Sequence, residues 1–135
     1  MARILIIDDE LQIRSMLRLM LERDGYEVDE APDGIEGISA YRQKPADLII
    51  TDLIMPNKDG IGMIIELQKE FPDVKIIAMS GGGLNKPEGY LKGAKKLGAA
   101  CTLTKPIDRE EMLRAVKNTI KGSTSEVQET QSEPE

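Results

Sequence analysis

The sequence has no histidine, no tryptophan and a single cysteine in 135 residues. Without histidine and with one thiol, zinc fingers, haem sites and His- or Cys-based catalytic triads are excluded. Cys101 cannot close an internal disulfide, in keeping with a reducing cytosol. It reads as a small strand residue rather than a redox centre. Long hydrophobic runs are also missing. The longest near the start, Ile4 to Ile7, is far too short for a signal peptide or a membrane span, so a cytoplasmic protein without membrane association is expected. Nor is there an excess of basic residues. Glu126, Glu129, Glu133 and Glu135 lie beyond Lys121 in a stretch with no lysine or arginine, which leaves the body 20 acids against 18 bases within a total net charge of −6. General nucleic-acid binding wants a basic face, and no direct binding is expected here.

What is present is an alternation. The length suits one domain, and a chain this long buries roughly two-thirds of its unfolded surface, so it needs no disulfide or structural metal to fold. Short apolar runs occur at Arg3 to Ile7, Tyr26 to Val28, Asp47 to Thr51, Val74 to Met79 and Cys101 to Leu103. The first, third and fourth are nearly continuously apolar, as befits central strands of a parallel sheet buried on both faces. The second alternates and belongs at an edge. Between the runs lie helical stripes: Ile13, Met16, Leu17, Met20 and Leu21; Ile35, Ile38 and Tyr41; Ile61, Ile64, Ile65 and Phe71; Tyr90, Ala94 and Leu97; and Met112, Leu113, Val116 and Ile120. Asp33 with Glu36, and Asp108 with Glu111, have the spacing of helix N-caps. Gly25 and Gly98 sit where helices stop. The expected fold is α/β, a (βα)₅ doubly wound parallel five-stranded sheet with right-handed crossovers. Residues 1–121 form the domain, and 122–135, polar and acidic, read as a disordered tail or the start of a linker.

In such a sheet the ligand site lies beyond the carboxyl ends of the strands. The first strand delivers Asp8, Asp9 and Glu10 there, the third Asp52, the fourth Ser80 followed by glycines, and the fifth Thr104, Lys105 and Pro106. Clustered carboxylates repel one another and are costly to desolvate. A divalent cation relieves that cost, and Mg²⁺ takes oxygen ligands while sharing phosphate oxygens. A carboxylate can then serve as a nucleophile toward phosphorus, with Lys105 and Ser80 holding the phosphoryl oxygens and the glycines admitting backbone N–H groups.

Taken together, Asp8-Asp9-Glu10, the run Asp52-Leu-Ile-Met55-Pro56-Asn-Lys-Asp59-Gly60, Met79-Ser80-Gly81 and Thr104-Lys105-Pro106 closely resemble the pattern of response-regulator receiver domains of the chemotaxis type, over residues 1 to about 121. The resemblance implies a flavodoxin-like strand order 2-1-3-4-5 and a phosphorylation-activated switch in a two-component phosphorelay rather than an enzyme acting on a separate substrate. It implies Asp52 as phosphoacceptor, Asp9 as direct Mg²⁺ ligand, Asp8 as its partner acting through water, and the Ile54 backbone carbonyl as the third protein ligand. Ser80 matches the switch hydroxyl, Lys105 the phosphate-binding lysine, and Lys105–Pro106 a bond usually cis. The donor implied is a sensor histidine kinase or a histidine phosphocarrier protein, and the output is an unnamed protein target.

Three departures from the family pattern stand out. Thr102 occupies a position that is often aromatic, so the loop after Ser80 and the helix following it, with Tyr90, would carry the signal instead. That loop is about three residues longer than in the chemotaxis type. Ile54 offers no polar side-chain atom to orient water, so slow loss of the phosphoryl group is expected. Two rivals differ in class. A Mg²⁺-dependent phosphotransferase would need a second acid/base carboxylate and a substrate pocket. A docking module without phosphorylation would not need the full set of site residues. The chain is either a stand-alone regulator or a piece of a longer one.

Overall fold

The isoleucine-rich runs are strands whose two faces both need covering, and the computed structural model shows how they get it. It describes residues 2–53, 55, 60–81, 95–96 and 98–121. Five strands, β1 (Arg3–Ile7), β2 (Glu27–Ala31), β3 (Leu48–Asp52), β4 (Ile76–Ser80) and β5 (Cys101–Thr104), pair in parallel in the order β2-β1-β3-β4-β5. Four helices are described: α1 (Leu11–Arg23), α2 (Gly34–Gln43), α3 (Gly60–Glu70) and α4 (Arg109–Lys121). The expected helix with Tyr90, Ala94 and Leu97 lies outside the described residues apart from helical Lys95 and Lys96. So do Asp59, most of the loop after Ser80, and 122–135. Among the described residues no helix is long and apolar enough to cross a membrane.

Side chains alternate across a strand, and that alternation divides the core. Ile4, Ile6, Leu48, Ile50, Ile77 and Met79 point to one face, where Leu17 and Leu21 of α1 and Met112 and Val116 of α4 cover them. Leu5, Ile7, Ile49, Ile76 and Ala78 point to the other, under Ile38 and Tyr41 of α2 and Met63, Ile64 and Leu67 of α3. The Ile4–Leu48, Ile6–Ile50 and Ile50–Ile77 pairs lock the register, since a one-residue slip would exchange the two faces.

Several expectations hold at the atomic level. The Asp33 and Asp108 carboxylates accept from the N–H groups of Glu36 and Glu111 at 2.8 and 2.9 Å. Gly25 and Gly98 have φ of 97° and 127°, a region costly for a residue with a Cβ. Lys105–Pro106 is cis.

Others need correction. The second strand starts at Glu27 and runs through Asp29 and Glu30 rather than ending at Val28, because an edge strand can turn polar side chains outward and still pair with β1. Tyr26 instead donates its N–H to Leu21 at the end of α1. Ile35 and Ile65 are exposed, not core. α2 seats Gly34, Gly37, Ile38 and Tyr41 inward, and α3 seats Gly60, Met63, Ile64 and Leu67. In both helices glycine opens the buried face, so a search for bulky apolar stripes sets the phase wrongly.

Candidate functional site

Asp8, Asp9, Asp52, Ser80 and Lys105 each sit at or just beyond a strand end, which is why residues so far apart in the chain meet. β1 releases Asp8 into a tight turn. The Asp8 carboxylate accepts from the Glu10 N–H at 2.9 Å through Oδ1 and from Lys105 Nζ at 3.1 Å through Oδ2. It does not cap α1, whose N-cap is Glu10 with no side-chain hydrogen bond. β3 ends on Asp52, whose Oδ1 lies 3.5 Å from the same ammonium. Carboxylate oxygens of Asp8, Asp9 and Asp52 lie within 4.8 Å of one another. Asp8 and Asp52 are buried, and Asp9 is exposed.

Burial is the main reason the Asp52 carboxyl is pushed up from the ordinary 3.8 to about 6. Lys105 opposes the shift, and the charges of Asp8 and Asp9 add to it. On Lys105, burial by itself favours the neutral amine. The charges of Asp52 and Asp8 outweigh that, and the ammonium is held above its usual value. The pocket is therefore acidic and electrostatically strained, with one cation among three carboxylates.

Ser80 closes β4, one position beyond the Met79–Asp52 pair, and its carbonyl accepts from the Lys105 N–H at 2.8 Å. The Ser80 hydroxyl is buried with no hydrogen-bond partner among the described residues. A buried hydroxyl left unmatched costs about 1–3 kcal/mol. Ser80→Ala is accordingly expected to leave urea stability unchanged or raise it by about 1 kcal/mol. A clear drop in the unfolding midpoint would show that the hydroxyl is already satisfied in the resting protein.

Gly60 joins the site from below. Its N–H donates to Leu53 at 2.8 Å, and a Cβ there would lie 2.5 Å from the Asp52 carbonyl oxygen. Ile54 lies outside the described residues. One residue that the sequence pattern does not single out also reaches the site. Arg14 of α1 donates to the Asp8 carbonyl at 2.7 Å and to Glu30 of β2 at 3.0 Å. Burial alone would raise Glu30, but Arg18 and Arg14 hold it below the usual carboxylate range. The available signal was Arg14 falling three and seven residues before Leu17 and Leu21, on the inward side of an amphipathic helix.

Hard oxygen donors converging from β1 and β3, with a lysine and a buried hydroxyl beside them, suit a small divalent cation and a phosphate group. The comparisons with known proteins identify a family. The family model described as the response regulator receiver domain matches residues 4–117. The transcriptional regulatory protein ResD of Bacillus subtilis (strain 168) is 34% identical over 116 residues, which take in 85% of this chain and 46% of that protein. The chemotaxis protein CheY of Treponema pallidum (strain Nichols) is 31% identical over 122 residues, 88% of this chain and 83% of that one. A response regulator receiver domain protein from Clostridium thermocellum superposes with a TM-score of 0.83 at 32% identity, covering 90% of this chain and 95% of that chain. The chain thus spans less than half the length of ResD but most of the length of the Treponema CheY and Clostridium thermocellum proteins.

Proposed function

The chain belongs to the response regulator receiver domain family, whose members are signalling switches in two-component pathways, and from that premise we propose that it accepts a phosphoryl group on Asp52 with Mg²⁺ bound beside it. One observation carries the proposal: a buried carboxylate at the end of β3 shares a pocket with two further carboxylates and the Lys105 ammonium.

The residues divide the work by what their atoms are free to do. Asp9 and Asp52 would ligate Mg²⁺ directly. Asp8, whose two oxygens already accept from Glu10 and Lys105, would act through water. The Ile54 carbonyl completes the proposed set. Bound there, Mg²⁺ supplies positive charge to the phosphoryl oxygens and to the carboxylates. An Asp52 oxygen attacks phosphorus, so an O–P bond forms as the donor's P–N bond breaks and the imidazole nitrogen keeps the electron pair. The donor is a phosphohistidine on a sensor histidine kinase or phosphocarrier protein. Lys105 then pairs with the phosphoryl oxygens, and Ser80 donates its hydroxyl to them. A two-state switch driven from 1:99 to 99:1 needs about 5.5 kcal/mol of differential interaction. Charge-assisted bonds at about 1.5–3 kcal/mol each supply that with two to four contacts. Residues 1–121 form the receiver unit in this reading, which answers to a downstream protein.

The test is phosphorylation by a small acyl phosphate with Mg²⁺, followed by intact mass. Wild type is expected to gain one phosphoryl group. Asp52→Asn and excess chelator are each expected to abolish the gain. A folded, Mg²⁺-binding wild type that gains nothing would refute the assignment.

A further inference from the structure

We propose that Arg14 is a positioning residue for the cation site: by clamping the Asp8 carbonyl against Glu30 it sets the direction of the Asp9 carboxylate. The proposal rests on the reading of Asp9 as a Mg²⁺ ligand.

Four contacts fix Asp8. Its N–H donates to Ala31 of β2 at 3.2 Å. Its carboxylate accepts from Glu10 and Lys105. Its carbonyl accepts from Arg14 Nη1 at 2.7 Å. Asp9 is exposed, and among the described residues no hydrogen bond or ion pair holds its side chain. Yet the Asp8 carbonyl and the Asp9 N–H belong to one planar peptide unit, so holding that oxygen holds the plane from which the Asp9 Cα projects. From the helix side the turn is held by the Glu10 N–H on the Asp8 carboxylate and by Arg14, while the Glu10 side chain adds no cap hydrogen bond.

Arg14 can do this because it is itself held. Its Nε donates to Glu30 at 3.0 Å, and both side chains are mostly buried between α1 and β2. A planar guanidinium spans two acceptors in fixed directions, which a lysine ammonium does not. Arg18 also pairs with Glu30, and with Glu22, but has no contact with Asp8. Arg18 is therefore the natural control: it shares the ion-pair network and not the clamp.

Simple charge counting and the clamp predict opposite signs. Arg14 is a cation near a cation site, so if only its charge mattered, removing it would tighten Mg²⁺ binding. If it orients a ligand, removing it weakens binding, as loss of an outer-shell partner commonly does by about 10–100-fold. Mg²⁺ titration calorimetry on wild type, Arg14→Ala, Arg14→Lys and Arg18→Ala, each checked for cooperative unfolding, separates the two. The expected result is Mg²⁺ binding weakened about tenfold in Arg14→Ala. A smaller loss is expected in Arg14→Lys, which reaches one acceptor but not both, and no change in Arg18→Ala. Should Arg14→Ala not fold, weaker binding in folded Arg14→Lys still decides the matter. Equal or tighter binding in the Arg14 variants, or equal weakening in Arg18→Ala, would overturn the clamp and leave the Mg²⁺ reading standing. Wild type that binds no Mg²⁺ would overturn both.

Discussion

Asp52→Asn is expected to make the ion-free protein more stable at pH 7.5, by about 2–3 kcal/mol, a margin that shrinks to under about 1 kcal/mol at pH 4. The sign follows from the raised carboxyl. Burial, more than any neighbouring charge, lifts Asp52 from 3.8 in the unfolded chain to about 6 in the folded one. A folded state that binds a proton more tightly than the unfolded state gains stability as pH falls. That gain is complete below about 3.8, is lost as pH rises toward about 6, and is absent above. At neutral pH the wild type therefore folds around an ionised group it would rather protonate. One pKa unit corresponds to about 1.4 kcal/mol, which gives the expected size. Asparagine has a similar shape and cannot ionise, so it escapes the penalty, while Lys105 keeps Asp8 as a partner. Urea midpoints of both proteins in chelator at pH 7.5 and pH 4 decide it. A stability difference that does not change with pH would show that Asp52 is not strained. The strain has a functional reading. Mg²⁺ that binds only the folded state adds about 2.7 kcal/mol at a hundred times its dissociation constant. Mg²⁺ should therefore narrow or reverse the ranking of the two proteins.

The sequence was most readable where one residue type had one reason to be present. Ile4 to Ile7 and Leu48 to Ile50 are apolar without a break because α1 and α4 cover one face of the sheet and α2 and α3 the other. Parallel strands ending along one edge then bring Asp8, Asp9, Asp52, Ser80 and Lys105 together from four separate stretches of chain. Gly25 and Gly98 were readable because their role is local backbone geometry.

Readability failed where a residue's role depended on a distant neighbour. Asp29 and Glu30 are poor strand formers on composition, yet they pair with Leu5 and Ile6 because β2 is an edge. Glu30 finds its partners on α1, an element whose docking angle no local pattern specifies. Arg14 on its own looks like a surface arginine. Only the packing of α1 against β2 aims it at Glu30 and the Asp8 carbonyl. Gly34, Gly37 and Gly60 were overlooked as members of buried helix faces because their contribution is the absence of a side chain.

Gly60→Ala tests that last point and carries the other large expected effect. Alanine is the better helix former by about 1 kcal/mol, so an exposed helical position would gain from the change. Here the new Cβ would lie 2.5 Å from the Asp52 carbonyl oxygen and 2.7 Å from the Leu53 Cα. Both are backbone atoms, and neither can swing aside as a side chain would. Overpacking of this kind costs about 1–3 kcal/mol and sometimes more, so a net loss of about 2 kcal/mol is expected. Relief can come only from sliding α3 away or shifting the end of β3, and that end is Asp52. Slower phosphorylation by acyl phosphate should therefore accompany the loss of stability. Gly25→Ala supplies the comparison. At a φ of 97° it is strained wherever it has room, and nothing lies within 4 Å of its Cβ position. Its destabilisation should leave the phosphorylation rate of the folded protein unchanged. If Gly60→Ala proved as stable as wild type, the close approach of α3 to β3 would be wrong. If it lost stability but kept the wild-type phosphorylation rate, α3 would be yielding while Asp52 stays in place.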